Sequence, residues 1–241
     1  MLNLCIDIGN TRIKMGYFAG QQLVDTLTLT IQEIDHAAAF LTNQTVEKVI
    51  FSTVSGPLPE GITKWLPSKT KVLELNTKLD LPFEVAYQTP QTLGLDRVAA
   101  VAGAYALFAE TACLVIDAGT CVTYDVLTAE GIYLGGNISP GWQMRLDAMH
   151  HFTAKLPRPD ALAPQKWIGN STESALQNGA FKGLLWEMEG CIQQLQSDFT
   201  SINVILTGGD ADFFAKKLKS KIFVNQNLVL WGLNKILNYN A

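Results

Sequence analysis

Two short stretches of this chain carry residues that could do chemistry on phosphate. The first is Asp7-Ile8-Gly9-Asn10-Thr11-Arg12-Ile13-Lys14, which follows an apolar run, Leu2 to Ile6, that reads as a buried strand. Gly9 and Asn10 tolerate positive φ, so the spacing predicts a tight turn there and a second strand from Arg12 to Phe18. The tip of such a hairpin presents a carboxylate, backbone N–H groups, a hydroxyl and a lysine. N–H and hydroxyl donors suit phosphate oxygens, Lys14 adds positive charge, and Asp7 suits Mg²⁺, directly or through water. An ordinary hairpin uses the same turn residues. The phosphate reading gains its weight from a second copy, Leu114-Val115-Ile116-Asp117-Ala118-Gly119-Thr120, which again runs apolar strand, Asp-x-Gly-Thr, then strand, here Cys121 to Leu127.

A third stretch, Leu93-Gly94-Leu95-Asp96-Arg97, leads into Val98–Ala109, an Ala-rich run that is apolar nearly all round. That pattern predicts a buried helix with Asp96 and Arg97 at or near its N-terminus. A helix cap beside a solvated arginine is the ordinary reading of the pair. Later, Thr207-Gly208-Gly209-Asp210 follows an apolar strand, where glycines would let a ligand approach the backbone or would simply make a turn.

The elements that must position these residues alternate in type. Strands are expected at 2–8, 12–18, 22–30, 46–53 and 71–75, with helices at 31–41 and 62–66. After a Pro-punctuated stretch at 79–94 and the helix at 98–109 come strands at 112–117, 121–127 and 132–137. Ser139-Pro140-Gly141 then opens a helix through Phe152, with Pro140 in its first turn. Residues 153–169 carry three prolines and read as an irregular loop, either a movable flap or an idle surface segment. A long helix from about Ser171 to Phe199, a strand at 202–206, a helix at 211–218, a short strand at 222–224 and a closing helix at 225–237 complete the chain. The two halves, 1–110 and 111–241, thus each open β-β-β-α.

Composition narrows the function classes. With 241 residues, 48% of them hydrophobic and 17% charged, the chain can build a substantial core as one large or two small domains. A net charge of −4 and no long basic run disfavour nucleic-acid binding. No apolar stretch reaches the roughly 20 residues that cross a bilayer, and no signal-like segment leads the chain. Cys5, Cys113, Cys121 and Cys191 lack metal-site spacing and read as buried small hydrophobes. The expectation is a cytoplasmic protein with neither membrane nor nucleic-acid partners.

Two β-β-β-α halves, each with an Asp-bearing first hairpin, resemble the duplicated ribonuclease H-like α/β fold of the actin/sugar kinase/Hsp70 superfamily. That resemblance implies two lobes, 1–110 and 111–241, with ATP in the cleft between them and Gly208-Gly209 bordering the adenosine. Taken in order, Asp-Ile-Gly-Asn-Thr-Arg-Ile-Lys, Gly-Leu-Asp-Arg, Asp-Ala-Gly-Thr and Gly-Gly-Asn-Ile-Ser-Pro-Gly look like type III pantothenate kinase. The family likeness implies transfer of the ATP γ-phosphoryl to the primary hydroxyl of pantothenate, the first step of coenzyme A biosynthesis. It implies ATP contacts at Asp7, Ile8, Gly9, Asn10, Thr11, Arg12, Ile13, Lys14 and Thr120, with Asp7 on the Mg²⁺ side. It places K⁺ or NH₄⁺ at Asp117, pantothenate contacts at Tyr87, Gly94, Leu95, Asp96, Arg97 and Thr172, and a homodimer whose interface lies near the pantothenate site. Asp96 is then the candidate base, since an ordinary aspartic acid is already ionised at neutral pH and needs only reach. Two rivals stand beside this reading: a related small-molecule kinase with a different acceptor, and a nucleotide-binding regulatory accessory factor without kinase turnover.

Overall fold

The computed structural model describes residues 2–9, 11–42, 44–53, 57–66, 70–164 and 166–240. In chain order its first elements are β1 (Leu2–Ile8), β2 (Arg12–Ala19), β3 (Gln22–Thr30), α1 (Ala37–Thr42), β4 (Val46–Thr53), α2 (Glu60–Thr63), β5 (Lys71–Glu74), β6 (Glu84–Val85) and α3 (Leu95–Leu107). There follow β7 (Ala112–Ala118), β8 (Cys121–Leu127), β9 (Ile132–Pro140), α4 (Trp142–His151) and α5 (Thr172–Asp198). The chain closes with β10 (Ile202–Thr207), α6 (Ala211–Ala215), β11 (Phe223–Val224) and α7 (Leu228–Tyr239). Two compact units result. Unit 1 holds residues 1–110, 131–133 and 227–241, and unit 2 holds 111–130 and 134–226.

In unit 1 the sheet order is β3-β2-β1-β4-β5, with β1 antiparallel to β2 and parallel to β4. Strand alternation sends Leu4, Ile6 and Ile8 of β1 and Ile13 and Met15 of β2 into one cluster with Val49, Phe51 and Ile62. The other face takes α3 and α7, which meet backbone to backbone. A Cβ added to Gly232 would lie 1.7 Å from the Ala99 carbonyl oxygen, and one on Gly103 would lie 2.2 Å from that of Leu228. The small residues of the Ala-rich run are thus what lets α7 dock. In the same unit the short β6 pairs in parallel with Ile132 and Tyr133.

Unit 2 carries β11-β10-β7-β8-β9, with β7 antiparallel to β8 and parallel to β10. Its core joins Leu114 and Ile116 of β7 to Trp142 and Leu146 of α4, Phe181 and Leu184 of α5, and Phe214 of α6. Trp142 anchors that layer, with ring centroids of Phe181 and Phe214 at 5.0 and 5.8 Å.

Several boundaries differ from the sequence reading. Residues 31–36 form a tight 3₁₀ segment, and only Ala37–Thr42 is α-helical. The Glu33 carboxylate accepts from the Thr30 N–H and hydroxyl, which winds that start tightly. Helix α2 begins earlier than expected because the Pro59 carbonyl accepts from Ile62 and Thr63. Strand β9 runs on through Pro140, so that proline ends a strand instead of opening a helix, and Gly141 caps α4. Cys5 and Cys113 are buried, and burial pushes the Cys113 thiol up to about 12, but Cys121 is exposed. Among the described residues no helix is long and apolar enough to cross a membrane.

Candidate active site

In unit 1 the β1–β2 hairpin is closed by the Gly9 N–H donating to the Arg12 carbonyl at 3.0 Å. Ile8 pairs with Ile13, both buried, and pins the turn to the core. Asp7 pairs directly with Lys14 and lies beside Ser52 of β4 in parallel register. Alternation puts Asp7 and Lys14 on the face away from the Ile8–Ile13 cluster, both half-buried, while Thr11 and Arg12 are exposed at the tip. Gly9 keeps an ordinary backbone, since among the described residues the positive-φ glycines are Gly20, Gly131, Gly135 and Gly208. Asn10, the other turn residue of the sequence reading, lies outside the described residues.

The start of α3 brings a second group together in the same unit. Gly94 is the N-cap, and its carbonyl accepts from the Val98 N–H at 3.1 Å. Asp96 therefore falls in the first turn and is exposed, with its carboxylate accepting the Arg97 backbone N–H at 2.8 Å. The carboxylate folds back so closely that a Cβ on Gly94 would sit 2.5 Å from Asp96 Oδ1. A helix N-terminus favours a charged carboxylate at that spot. Arg97 is 5% exposed, and its guanidinium carbon lies 5.7 Å from the Tyr87 ring centroid, a cation–π contact. Leu95 turns the other way and lines, with Leu93, Val85, Pro90 and Val98, an apolar pocket of about 180 Å³.

Unit 2 holds the second Asp hairpin. Asp117 pairs with Thr123 across β7–β8 and with Thr207 at the end of β10. The Gly119 N–H donates to the Cys121 carbonyl at 3.0 Å, and Thr120 is exposed at the tip. Two other segments press against this bend. Gly208, at φ +95°, comes so near that a Cβ would lie 2.4 Å from both the Ala118 carbonyl oxygen and Asp117 Oδ1. Gly141 donates its N–H to the Thr120 carbonyl at 3.1 Å, and a Cβ there would lie 2.2 Å from the Gly119 oxygen. The Ala118 carbonyl also accepts the Asp210 N–H at 2.9 Å. Thr172, the last of the expected contacts, is the exposed first residue of α5, behind the Ser171 cap.

Sequence reasoning did not find the side chains behind this bend. Glu187 of α5 accepts from the Tyr124 hydroxyl at 2.7 Å, from the Ser139 hydroxyl and from the Arg145 guanidinium. Burial pushes the Glu187 carboxyl up, but Ser139, Arg145 and Tyr124 together outweigh it and hold the carboxyl below the usual glutamate range. Burial, and then the bond to Glu187, push the Tyr124 phenol well above its ordinary value. A glutamate in mid-helix gives no local sign of partners on three other elements. The Ser139-Pro140-Gly141 run gave the nearest signal, by placing small and rigid residues at one joint.

Among the described residues no group of three or more His, Cys, Asp or Glu could hold a metal ion. What the hairpins offer is the Asp7 and Asp117 carboxylates, together with backbone and hydroxyl oxygens. Such a set fits hard cations that take most of their ligands from water and phosphate.

The sequence model of the type III pantothenate kinase family matches residues 3–194. A type III pantothenate kinase of Cytophaga hutchinsonii is 40% identical over 241 residues, covering 100% of both chains. Among solved structures, a Campylobacter jejuni protein provisionally described as a Baf family transcriptional activator aligns with a TM-score of 0.61 and 25% identity, over 98% of each chain. A Listeria monocytogenes protein provisionally described as an N-acetylmannosamine kinase aligns with a TM-score of 0.55 and 13% identity over 100% of both chains, a likeness of fold. The architecture is accordingly the duplicated α/β fold of the actin/sugar kinase/Hsp70 superfamily.

Proposed function

The chain belongs to the type III pantothenate kinase family, and on that premise we propose which of its residues carry the reaction. The activity is an ATP- and Mg²⁺-dependent transfer of phosphoryl to pantothenate, at the entry to coenzyme A biosynthesis. Phosphoryl transfer asks a protein for alignment and charge neutralisation more than for covalent help. In our reading the Asp7–Lys14 hairpin takes the outer phosphates through its backbone N–H groups, Thr11 and Lys14. Mg²⁺, when bound, neutralises charge on those phosphates, and Asp7 is the carboxylate that would hold it. The Asp117–Thr120 bend takes phosphate as well, with Asp117 and neighbouring carbonyls suited to K⁺ or NH₄⁺.

On the acceptor side Asp96 receives the proton of the pantothenate hydroxyl as that oxygen attacks the γ-phosphorus. The observation that carries this assignment is the exposed Asp96 carboxylate on the first turn of α3, beside a buried, always-charged Arg97. Held over Tyr87, Arg97 presents a fixed fork to the pantothenate carboxylate or to the moving phosphoryl. Gly94 and Leu95 shape the entry to that turn, and Thr172 adds a hydroxyl, in a homodimer whose interface lies near the acceptor. Closure of the protein over ATP is expected to precede transfer.

The test is an acceptor screen with purified protein, ATP and Mg²⁺, run in K⁺ and in Na⁺ salts. Pantothenate-dependent ADP release that is higher in K⁺ is the expected result. Nucleotide binding with no release for any acceptor would instead favour a regulatory protein. Asp117→Asn should erase the K⁺ preference and raise the ATP KM about tenfold, the usual scale for losing one ligand-side partner. Equal wild-type rates in the two salts would remove the cation from this account.

A further inference from the structure

Glu187 lies in the middle of α5, yet among the described residues its donors belong to the strands and helix that follow the bend of the second hairpin. Tyr124 is on β8, Ser139 near the end of β9, and Arg145 in α4. Arg145 in turn donates Nε to the Pro140 carbonyl at 2.9 Å and a terminal nitrogen to the Ser139 hydroxyl at 3.2 Å. The whole set grips one short segment, Ser139-Pro140. The next residue, Gly141, is the joint between β9 and α4, and it rests on the Gly119 and Thr120 carbonyls.

We propose that Glu187 is a positioning residue for the nucleotide side: by fixing Ser139 and Arg145 it fixes Gly141, and through Gly141 the height of the Gly119–Thr120 tip. The proposal rests on the reading that this tip faces ATP. Two features make the grip firm. Its carboxylate serves three donors at once, so it cannot turn to follow one of them without losing another. The ion pair is also partly withdrawn from water, with side-chain exposures of 20% for Arg145 and 34% for Glu187. Charge-assisted bonds in such a setting are shorter and stronger than exposed pairs.

Glu187→Gln keeps one oxygen for Tyr124 and Ser139 but turns an NH₂ toward the guanidinium. With ATP and pantothenate varied in turn, it is expected to raise the ATP KM about tenfold. The pantothenate KM and kcat should stay within about twofold of wild type. Arg145→Gln should behave alike, and the double variant should add nothing further, as for residues of one network. If Glu187→Gln does not fold, Tyr124→Phe removes one donor at nearly constant shape and is read the same way, at about threefold. A lowered Tm with an unchanged ATP KM, or an equal rise in both KM values, would overturn the proposal and leave Glu187 a structural residue. Thr120→Ala and Asp117→Asn separate the two layers of the argument. If they raise the ATP KM and the Glu187 variants do not, only the positioning role fails. If neither hairpin variant moves it, the hairpin is not the nucleotide site and both ideas fall together.

Discussion

Asp96→Asn is expected to lower kcat for pantothenate phosphorylation by about 10²- to 10⁴-fold, the range that a positioned general base supplies. The substitution is nearly isosteric. Its amide oxygen can still accept the Arg97 backbone N–H that the Asp96 carboxylate accepts at 2.8 Å. The first turn of α3 should therefore keep its shape, and Tm should move little at an exposed position. What the amide cannot do is take up a proton as the hydroxyl attacks. The loss should then appear in kcat, with the ATP KM unchanged to within about threefold, because the phosphate contacts belong to other residues. Asp96→Glu, which restores the basic group on a longer arm, should recover part of the rate. Turnover by Asp96→Asn close to wild type, with pantothenate as acceptor, would remove Asp96 from the chemistry and return it to the role of a helix-start carboxylate.

The fold was legible where periodicity and composition speak locally. Both Asp hairpins, the alternation of β1 and β2, and the buried Ala-rich helix follow from patterns a few residues long. The small residues of that helix had a further meaning that only its partner reveals: α7 lies against Ala99 and Gly103 backbone to backbone. Boundaries failed where a single side chain or carbonyl decided them, as with Glu33 at the 3₁₀ start or the Pro59 carbonyl ahead of α2. Pro140 misled for a related reason. Proline is well suited to a first helical turn, but it equally ends a strand whose last N–H needs no partner. The candidate site divides in the same way. Asp7, Asp96, Arg97 and Asp117 stand out by type and neighbours, whereas Glu187 depends on donors from β8, β9 and α4. Nothing within several residues of Glu187 encodes that meeting.

The pair Gly208-Gly209 shows how two identical residues come to carry different constraints, and it yields the second large effect. Both glycines read alike in sequence, as a turn that lets a ligand near the backbone. In the structure Gly208 adopts φ +95°, and its α-carbon is packed against the Ala118 carbonyl and the Asp117 carboxylate. Gly209 is exposed, and a Cβ added to it would meet nothing within 4 Å. Gly208→Ala must therefore place a methyl where the strand end and Asp117 already sit, in a backbone region that alanine disfavours. Strain and overpacking together predict a loss of about 2–4 kcal/mol, or roughly 5–15 °C in Tm at this chain length. Because the atom displaced is Asp117 Oδ1 itself, whatever activity remains should also lose its preference for K⁺ over Na⁺. Gly209→Ala should leave Tm within about a degree, since its backbone is unstrained and the space is open. Any change it makes in the ATP KM then reports on nucleotide contact alone. Thermal melts and K⁺ titrations of the two variants side by side decide the matter. Equal, small shifts in both would mean that the backbone around Asp117 yields freely, and the tight approach of Gly208 would then not be what holds that carboxylate in place.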